Sequence, residues 1–253
     1  MKRLMNLVYV LELKVNDMVI KNLSFTEYRE LGKIKGVSII GDKVYKICPD
    51  SMNEVLRVNE CFKDDIMPNI VLPDEYLEFG GILVGYSMPY LSEHKPVGEK
   101  LIKREDFDRL KVIYKTLEVM FKMLDSGINY VDMHVFNVLV NGDDTKVIDI
   151  SDVSLDEDKG QVAYGMIDFV FNTLYGDGIY FFRLKNLMLD DRFSRYFSTE
   201  FKNFVLSIYD FDKTIDPKDV YKYMDELKDD KKNETVRKLV YELYEEGIFK
   251  NRV

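Results

Sequence analysis

The chain has 253 residues, of which 46% are hydrophobic and 32% are charged, and its formal net charge is −9. This length and composition suit a globular protein with one large domain or two closely packed lobes. The acidic balance argues against a surface that covers nucleic-acid phosphates, so no nucleic-acid partner is expected. No apolar run approaches the roughly 18 residues of a membrane span, and no cleavable signal is recognised. We therefore expect no membrane span and a cytoplasmic location.

The first ninety or so residues are predicted to form a small sheet that is interrupted by one helix. Two hairpins are indicated, each with two β-prone runs around a two-residue turn, Gly41-Asp42 in the first and Gly80-Gly81 in the second. The four predicted strands are residues 37–40, 44–48, 75–79 and 82–88. Between the hairpins, Pro49-Asp50-Ser51 opens a helix that Asp50 or Ser51 can cap.

The rest of the chain is predicted to be mainly helical. Apolar residues recur every three or four positions from Phe107 to Leu124, which indicates an amphipathic helix that Gly127 ends. Asp216-Pro217 is a typical helix start. The other predicted elements are β runs at 137–140 and 146–150, joined by a turn at 141–144, and helices over 166–175 and 233–246. The fold class is therefore α+β in one domain, with an N-lobe at 1–91 and a C-lobe at 92–253.

Three polar residues stand between the apolar runs of residues 130–150. Asp132 follows the long helix in a loop, Asn137 begins one β run, and Asp149 ends the next. A hairpin with this spacing can bring Asn137 and Asp149 side by side. Hard cations such as Mg²⁺ take oxygen ligands, so an amide oxygen and a carboxylate are suitable. Asp132 could then accept a proton from, or orient, an attacking hydroxyl.

This run resembles the catalytic and metal-binding segments of the protein kinase-like superfamily, whose pattern is H-x-D-x-x-x-x-N, two strands and D-F-G. The resemblance implies a bilobal protein-kinase-like fold with an antiparallel sheet and one helix in the N-lobe. It implies that Asp132 is the catalytic aspartate and that Asn137 and Asp149 are Mg²⁺ ligands. Two departures stand out: Tyr130 replaces the usual His, and Ile150-Ser151 replaces Phe-Gly.

His134 stands two positions after Asp132, where conventional serine/threonine kinases favour Lys. The pattern D-x-H-x-x-N is similar to the aminoglycoside phosphotransferases and related atypical branches. This similarity favours a small-molecule acceptor. The alternative interpretation of His134 is a structural hydrogen bond within the loop.

The N-lobe carries a second part of the resemblance. Val44-Tyr45-Lys46 resembles the V-A-I-K strand, which implies that Lys46 neutralises the α- and β-phosphates and that Val44 packs on adenine. Glu54 on the next helix is the expected partner of Lys46, with Glu60 in reserve. The alternatives are an exposed strand lysine and solvated helix carboxylates.

The segment from Gly32 to Val37 resembles a shortened glycine-rich loop that lacks the middle glycine of G-x-G-x-x-G, which implies that Gly32, Gly36 and Val37 contact the nucleotide. Their backbone N–H groups are expected to approach phosphate oxygens. A plain β-turn is the alternative for this segment.

The segment from Met88 to Leu91 resembles the hinge between the lobes. The resemblance implies that Met88 is the gatekeeper, that the Pro89 carbonyl and the Leu91 N–H meet the adenine edge, and that Leu139 lies beneath adenine. Met88 and Leu139 are alternatively ordinary core residues.

Taken together, the motifs predict an ATP-dependent kinase that uses Mg²⁺ and transfers the γ-phosphoryl group to a hydroxyl. A protein Ser/Thr acceptor is the first choice, because the compact layout resembles small atypical protein kinases. A small-molecule acceptor, as in aminoglycoside phosphotransferases, is the close alternative. Two further alternatives are a catalytically inactive kinase-like binding module (a pseudokinase) and an unrelated α/β or α+β enzyme.

Overall fold

A computed structural model describes residues 19–32, 37–62, 68–151, 153–154, 159–176, 184–209 and 215–246. These residues form two compact units, and the chain leaves the first unit for the second between Ser92 and Glu93. Residues 68–70 also belong to the second unit. The fold is mixed α/β, with a five-stranded sheet in the first unit and a mainly helical second unit.

The sheet of the first unit has the strand order β1-β4-β5-β3-β2. Its strands are β1 (Ile20–Asn22), β2 (Val37–Ile40), β3 (Lys43–Ile47), β4 (Glu75–Phe79) and β5 (Ile82–Pro89). Both predicted hairpins, β2–β3 and β4–β5, are confirmed. Their turns contain Gly41, Gly80 and Gly81, all with positive φ, a conformation that glycine adopts without steric cost.

The prediction of a purely antiparallel sheet is wrong at one edge. Strand β1 pairs with β4 in parallel, with Ile20 opposite Tyr76, while the other pairs of this sheet are antiparallel. Between β1 and β4 the chain passes through helices and a whole hairpin, and a connection of this length permits parallel pairing. The sheet is therefore mixed.

The prediction of a single helix in this part of the chain is also wrong. Helix α1 (Phe25–Gly32) precedes the expected helix, α2 (Met52–Phe62). Ser24 and Glu27 start α1 as a capping box: Ser24 N donates to Glu27 Oε2 at 2.8 Å, and Glu27 N donates to Ser24 Oγ at 3.3 Å.

The two helices contact the sheet through apolar side chains. The ring of Tyr28, on α1, stacks on Phe79 with the ring centroids 4.6 Å apart. The surrounding cluster consists of Leu23, Leu31, Leu77 and Val84, with Tyr28, Tyr45, Ile47 and Phe79 packed against it. Helix α2 follows a 3₁₀ turn at Pro49–Ser51 and contacts β5. Its buried side chains are Met52, Val55, Leu56, Val58 and Phe62.

The second unit contains short strands and most of the helices. Its strands are β6 (Lys95–Pro96), β7 (Asn129–Tyr130), β8 (Val138–Asn141), β9 (Asp144–Val147) and β10 (Val153–Ser154). Its helices are α3 (Val97–Lys103), α4 (Arg109–Asp125), α5 (Lys159–Tyr175), α6 (Leu184–Leu189), α7 (Asp191–Ser194), α8 (Thr199–Tyr209), a 3₁₀ helix (Pro217–Leu227) and α9 (Asp230–Glu245). The strands form one sheet of order β6-β8-β9 and the antiparallel pair β7–β10.

The predicted amphipathic helix and the predicted helix start at Asp216-Pro217 are confirmed. The amphipathic helix is α4, and the Asp108 side chain caps it by accepting from Lys111 N at 2.9 Å. Asp216 caps the 3₁₀ helix by accepting from Lys218 N at 3.0 Å, with Pro217 in its first turn. Helix α5 starts earlier than the predicted residue 166 and is buried along most of its length.

An aromatic cluster surrounds Phe171 on the buried helix α5. The rings that it contacts are Tyr175, Phe193, Phe197 and Phe201. These side chains come from α5, from α7 and the turn after it, and from α8, so they join the later helices into one core. Among the described helices, none combines the length and the apolar composition that crossing a membrane requires.

Candidate active site

Tyr130 links the start and the end of residues 130–150, the segment that carries the candidate catalytic and metal-binding residues. It lies in β7, directly after α4, and is 1% exposed. Its hydroxyl donates a hydrogen bond to the backbone oxygen of Ile148 at 2.8 Å. Ile148 immediately precedes Asp149, so this bond fixes the backbone at the entrance to the Asp149 turn.

Asp132 and Asn137 are joined by hydrogen bonds within one loop. Asn137 Nδ2 donates to the backbone oxygen of Asp132 at 2.9 Å and lies 3.3 Å from Asp132 Oδ2. The backbone of Asn137 is held as well, because its N–H donates to His134 O at 2.9 Å and its carbonyl accepts from Ile148 N at 3.0 Å. The loop thus brings Asp132 beside Asn137, and the β8–β9 hairpin brings Asp149 to the same end of the strands.

The Asn137 amide is oriented with its nitrogen toward Asp132, which leaves its oxygen as a possible cation ligand. Because Nδ2 donates toward Asp132, Oδ1 is the atom on the other side of the amide, and an amide oxygen is a ligand for hard cations. Asp149 supplies a carboxylate, and Ser151 Oγ donates to its Oδ1 at 2.8 Å. These donors fit Mg²⁺ chemically, since Mg²⁺ usually takes one or two protein ligands and completes its shell with phosphate oxygens and water.

The described residues contain no group of three or more His, Cys, Asp or Glu side chains that could hold a metal ion. An Asn–Asp pair offers fewer charged ligands than such a group and so binds a metal ion less tightly. It therefore suits a cation that arrives with its own phosphate ligands better than a permanently bound metal.

Asp149 has a left-handed backbone conformation, with φ at 61°. This region costs most residues about 1–2 kcal/mol, although Asp and Asn enter it more readily than others. Sparsely populated conformations of this kind concentrate at functional sites, where the surrounding structure maintains them.

His134 contacts both the loop backbone and Asp132. Its Nδ1 accepts from Phe136 N at 3.2 Å, so the loop hydrogen bond that the sequence left as an alternative is present. With Nδ1 as acceptor, the neutral ring carries its proton on Nε2, which lies 3.5 Å from Asp132 Oδ2. The side chains of Asp132 and His134 are 47% and 41% exposed, so this carboxylate is accessible to a reactant.

The back of the loop packs on helix α3 through a residue that the sequence reasoning missed. Gly98 N donates to Val135 O at 2.9 Å, and a Cβ on Gly98 would come within 2.7 Å of the Phe136 ring. A glycine inside a short helix is the sequence signal for such a close approach.

Leu139 lies in β8 opposite Pro96 on β6 and Lys146 on β9. It is half-buried, whereas its neighbours Val138 and Val140 are buried, which is the alternation expected of a strand. Leu139 therefore lies on the face of this sheet opposite the buried valines.

Four of the candidate nucleotide residues of the first unit share one face of its sheet. Val44 pairs with Met88, and Lys46 pairs with Val37. Direct cross-strand partners point to the same face, and so do residues two positions apart in one strand. Val37, Val44, Lys46 and Met88 are thus on a common face.

A second glycine missed by the sequence reasoning lies against Lys46. Gly85, on β5, pairs with Ile47, and a Cβ at this position would collide with the backbone oxygen of Lys46. Only glycine allows β3 and β5 to approach this closely. Gly85 therefore sets the position of the Lys46 backbone in the sheet.

Glu54 lies in the first turn of α2, and its Oε2 is buried with no hydrogen-bond partner among the described atoms. A buried carboxylate oxygen without a partner is costly, so its position calls for an explanation such as a functional role. Glu60, the reserve candidate, is exposed further along the same helix.

The candidate phosphate loop is described at its two ends. Gly32 is the last residue of α1 and Val37 is the first of β2. Gly36 lies outside the described residues, so the shortened glycine-rich loop stays a prediction.

The candidate hinge follows the end of β5. Met88 is buried, Pro89 is exposed and Leu91 is half-buried. Tyr90 N donates to Asp42 O at 2.7 Å, which ties this segment to the β2–β3 turn.

No protein-family model matches this sequence, and no curated protein matches it either. The chemistry of the site is therefore interpreted from its own residues.

Proposed function

We propose that the protein is an ATP-dependent phosphotransferase with a bilobal protein-kinase-like fold, and that it transfers the γ-phosphoryl group of ATP to a hydroxyl. One observation carries the proposal: Asn137 donates to Asp132 while its backbone oxygen accepts from Ile148, the residue before Asp149. A base candidate, an amide oxygen and a second carboxylate are thereby gathered in one part of the second unit.

Each of these groups has a role in phosphoryl transfer. Asn137 Oδ1 and the Asp149 carboxylate would hold Mg²⁺, which would supply charge neutralisation on the phosphate oxygens. The acceptor oxygen bonds to the γ-phosphorus while the bond to the β–γ bridging oxygen breaks. The proton of the acceptor hydroxyl passes to the Asp132 carboxylate, and ADP leaves.

The first unit supplies the proposed nucleotide contacts. The Lys46 ammonium neutralises the α- and β-phosphates, and Glu54, whose buried Oε2 makes no hydrogen bond among the described atoms, is proposed as its carboxylate partner. Val44, beside Met88 in the sheet, offers an apolar surface for adenine.

The acceptor is proposed to be a protein serine or threonine, with a small-molecule hydroxyl as the second candidate. The His134 contact favours the second candidate, because its Nε2 lies 3.5 Å from Asp132 Oδ2 and adds a polar group for a small acceptor. The molecular size of the labelled product distinguishes the two.

The test is incubation with γ-labelled ATP and Mg²⁺, with the protein itself, a generic protein, a small-molecule panel and cell extract as acceptors. Wild type is expected to form product, and Asp132→Ala is expected to be slower by about 100- to 10,000-fold, as for loss of a general base. Asp149→Ala is expected to be inactive. Asp143→Ala is the matched control, because Asp143 is an exposed carboxylate in the β8–β9 turn. If wild type transfers no phosphate, or if Asp132→Ala and Asp149→Ala are as active as wild type, the catalytic proposal is wrong.

A further inference from the structure

Ser151 makes a buried contact with the carboxylate of Asp149. Ser151 is 3% exposed, and its Oγ donates a hydrogen bond to Asp149 Oδ1 at 2.8 Å. A donor bound to an ionised acceptor makes a stronger hydrogen bond than a neutral pair does. In the kinase-like pattern this position is a glycine, which has no side chain to make such a bond.

The backbone around Asp149 is held at the same place. Tyr130 fixes the carbonyl of Ile148 on one side, and Asp149 itself has φ at 61°. On the other side, Val153 pairs with Tyr130 in the β7–β10 ladder. These contacts fix the backbone on either side of Asp149, and the Ser151 hydroxyl orients the carboxylate itself through its hydrogen bond to Oδ1.

We infer that Ser151 is a positioning residue for the metal ligand Asp149. Its hydroxyl donates to Oδ1 and so holds the Asp149 carboxylate in one rotational orientation for binding a divalent cation. This inference rests on the proposed function, because it assigns Asp149 to a cation. Residues that orient a metal ligand typically change metal affinity by about 10- to 100-fold when they are replaced.

The test measures cation binding directly and does not depend on turnover. Mn²⁺ is the probe, titrated into the full chain with a non-hydrolysable ATP analogue and followed by electron paramagnetic resonance. Ser151→Ala is expected to weaken Mn²⁺ binding by about 10- to 100-fold. Ser151→Thr keeps the hydroxyl and is expected to retain most of the affinity.

Thr145→Val is the matched control. Thr145 is 1% exposed in β9 of the adjoining hairpin, and its Oγ1 has no hydrogen-bond partner among the described atoms. Its replacement removes a buried hydroxyl from the same region without removing a contact to Asp149, and is expected to leave Mn²⁺ affinity unchanged. Ser151→Cys, whose thiol is a weak donor, replaces Ser151→Ala if the alanine variant does not fold.

The outcomes separate the inference from the proposed function. If wild type does not bind Mn²⁺ with the nucleotide, the proposed function fails and the role of Ser151 fails with it. If wild type binds Mn²⁺ and Ser151→Ala binds it equally well, the positioning role is wrong and the proposed function stands. Equal losses in Ser151→Ala and Thr145→Val would also overturn the positioning role, because they would reflect general loosening of the hairpin.

Discussion

The side-chain amide of Asn137 donates to the backbone oxygen of Asp132 at 2.9 Å and lies 3.3 Å from its Oδ2. Asn137→Asp keeps an oxygen ligand and replaces the donor with a second carboxylate beside Asp132. Like charges at this separation repel, so we expect that, in the absence of metal, this variant unfolds at a lower temperature than wild type. Mg²⁺ should then raise its unfolding temperature more than that of wild type. Thermal unfolding with and without Mg²⁺ checks this, and unchanged metal-free stability would contradict it.

Tyr130→Phe removes the hydroxyl that donates to Ile148 O at 2.8 Å. Tyr175→Phe is the control, because the Tyr175 hydroxyl donates to Asn233 Oδ1 at 2.8 Å in the helical core. Both variants are expected to lose about 1–2 kcal/mol of unfolding free energy, since each leaves an acceptor without its donor. We expect only Tyr130→Phe to weaken Mn²⁺ binding as well. Denaturant unfolding and Mn²⁺ titration are the measurements, and equal Mn²⁺ affinities would disprove the link to Asp149.

Lys46→Met tests the proposed phosphate contact of the first unit. We expect about a tenfold or greater loss of nucleotide affinity, which corresponds to about 1.4 kcal/mol, with the unfolding temperature unchanged. Lys43→Met is the control in the same strand, where Lys43 pairs with Asp74 at 3.1 Å and Glu75 at 3.0 Å. It should leave nucleotide affinity unchanged. Nucleotide titration by calorimetry measures this. A large loss of thermal stability in Lys46→Met would instead mark a structural lysine.

The buried carboxyl of Asp168, on α5, is expected to make the stability of the protein depend on pH. Burial raises the pKa of its carboxyl from 3.8 to about 6, and the hydrogen bond that Asn172 donates to it opposes part of this rise. The folded protein therefore binds this proton more tightly than the unfolded chain does. This tighter proton binding stabilises the fold fully below pH 3.8, and the stabilisation is lost as the pH rises to about 6.

Asp168→Asn removes this titration and keeps an oxygen that can accept from Asn172. We expect the variant to exceed wild type in unfolding free energy by roughly 2–3 kcal/mol above pH 6, with the difference shrinking toward pH 4. Of the neighbouring titratable groups, Tyr209 stays neutral through this range, because burial and then the charge of Asp168 raise its pKa. Denaturant unfolding between pH 4 and pH 8 measures the difference. A difference that is constant with pH would show that Asp168 does not titrate there.

Local chemistry made much of the fold predictable from the sequence. The hairpin turns at Gly41 and Gly80-Gly81 follow from the need for positive φ, and the Asp216-Pro217 helix start follows from side-chain capping. Helix α1 was missed although its capping box, Ser24 and Glu27, is visible in the sequence. The parallel pairing of β1 with β4 depends on contacts between distant segments, which local patterns do not contain.

The spacing of the site predicted which residues meet, but not how they are held. Asp132 and Asn137 lie together because a short loop joins them. The hydrogen bonds of Tyr130 to Ile148 and of Ser151 to Asp149 depend on the β7–β10 pairing and on the left-handed backbone of Asp149. Neither condition can be obtained from residue spacing. Gly85 and Gly98 were missed for a similar reason, because each is explained by the chain segment that lies against it.

The left-handed backbone of Asp149 determines which substitutions there are informative. Glycine and asparagine adopt positive φ more easily than other residues, whereas alanine and β-branched residues resist it. Asp149→Asn therefore removes the charge and leaves the turn intact, while Asp149→Ala alters both. Across all replacements at position 149, stability and activity should rank in different orders, with glycine and asparagine among the most stable and both inactive. Backbone preference admits several residues at this position, so the chemistry of the carboxylate must explain why it is aspartate.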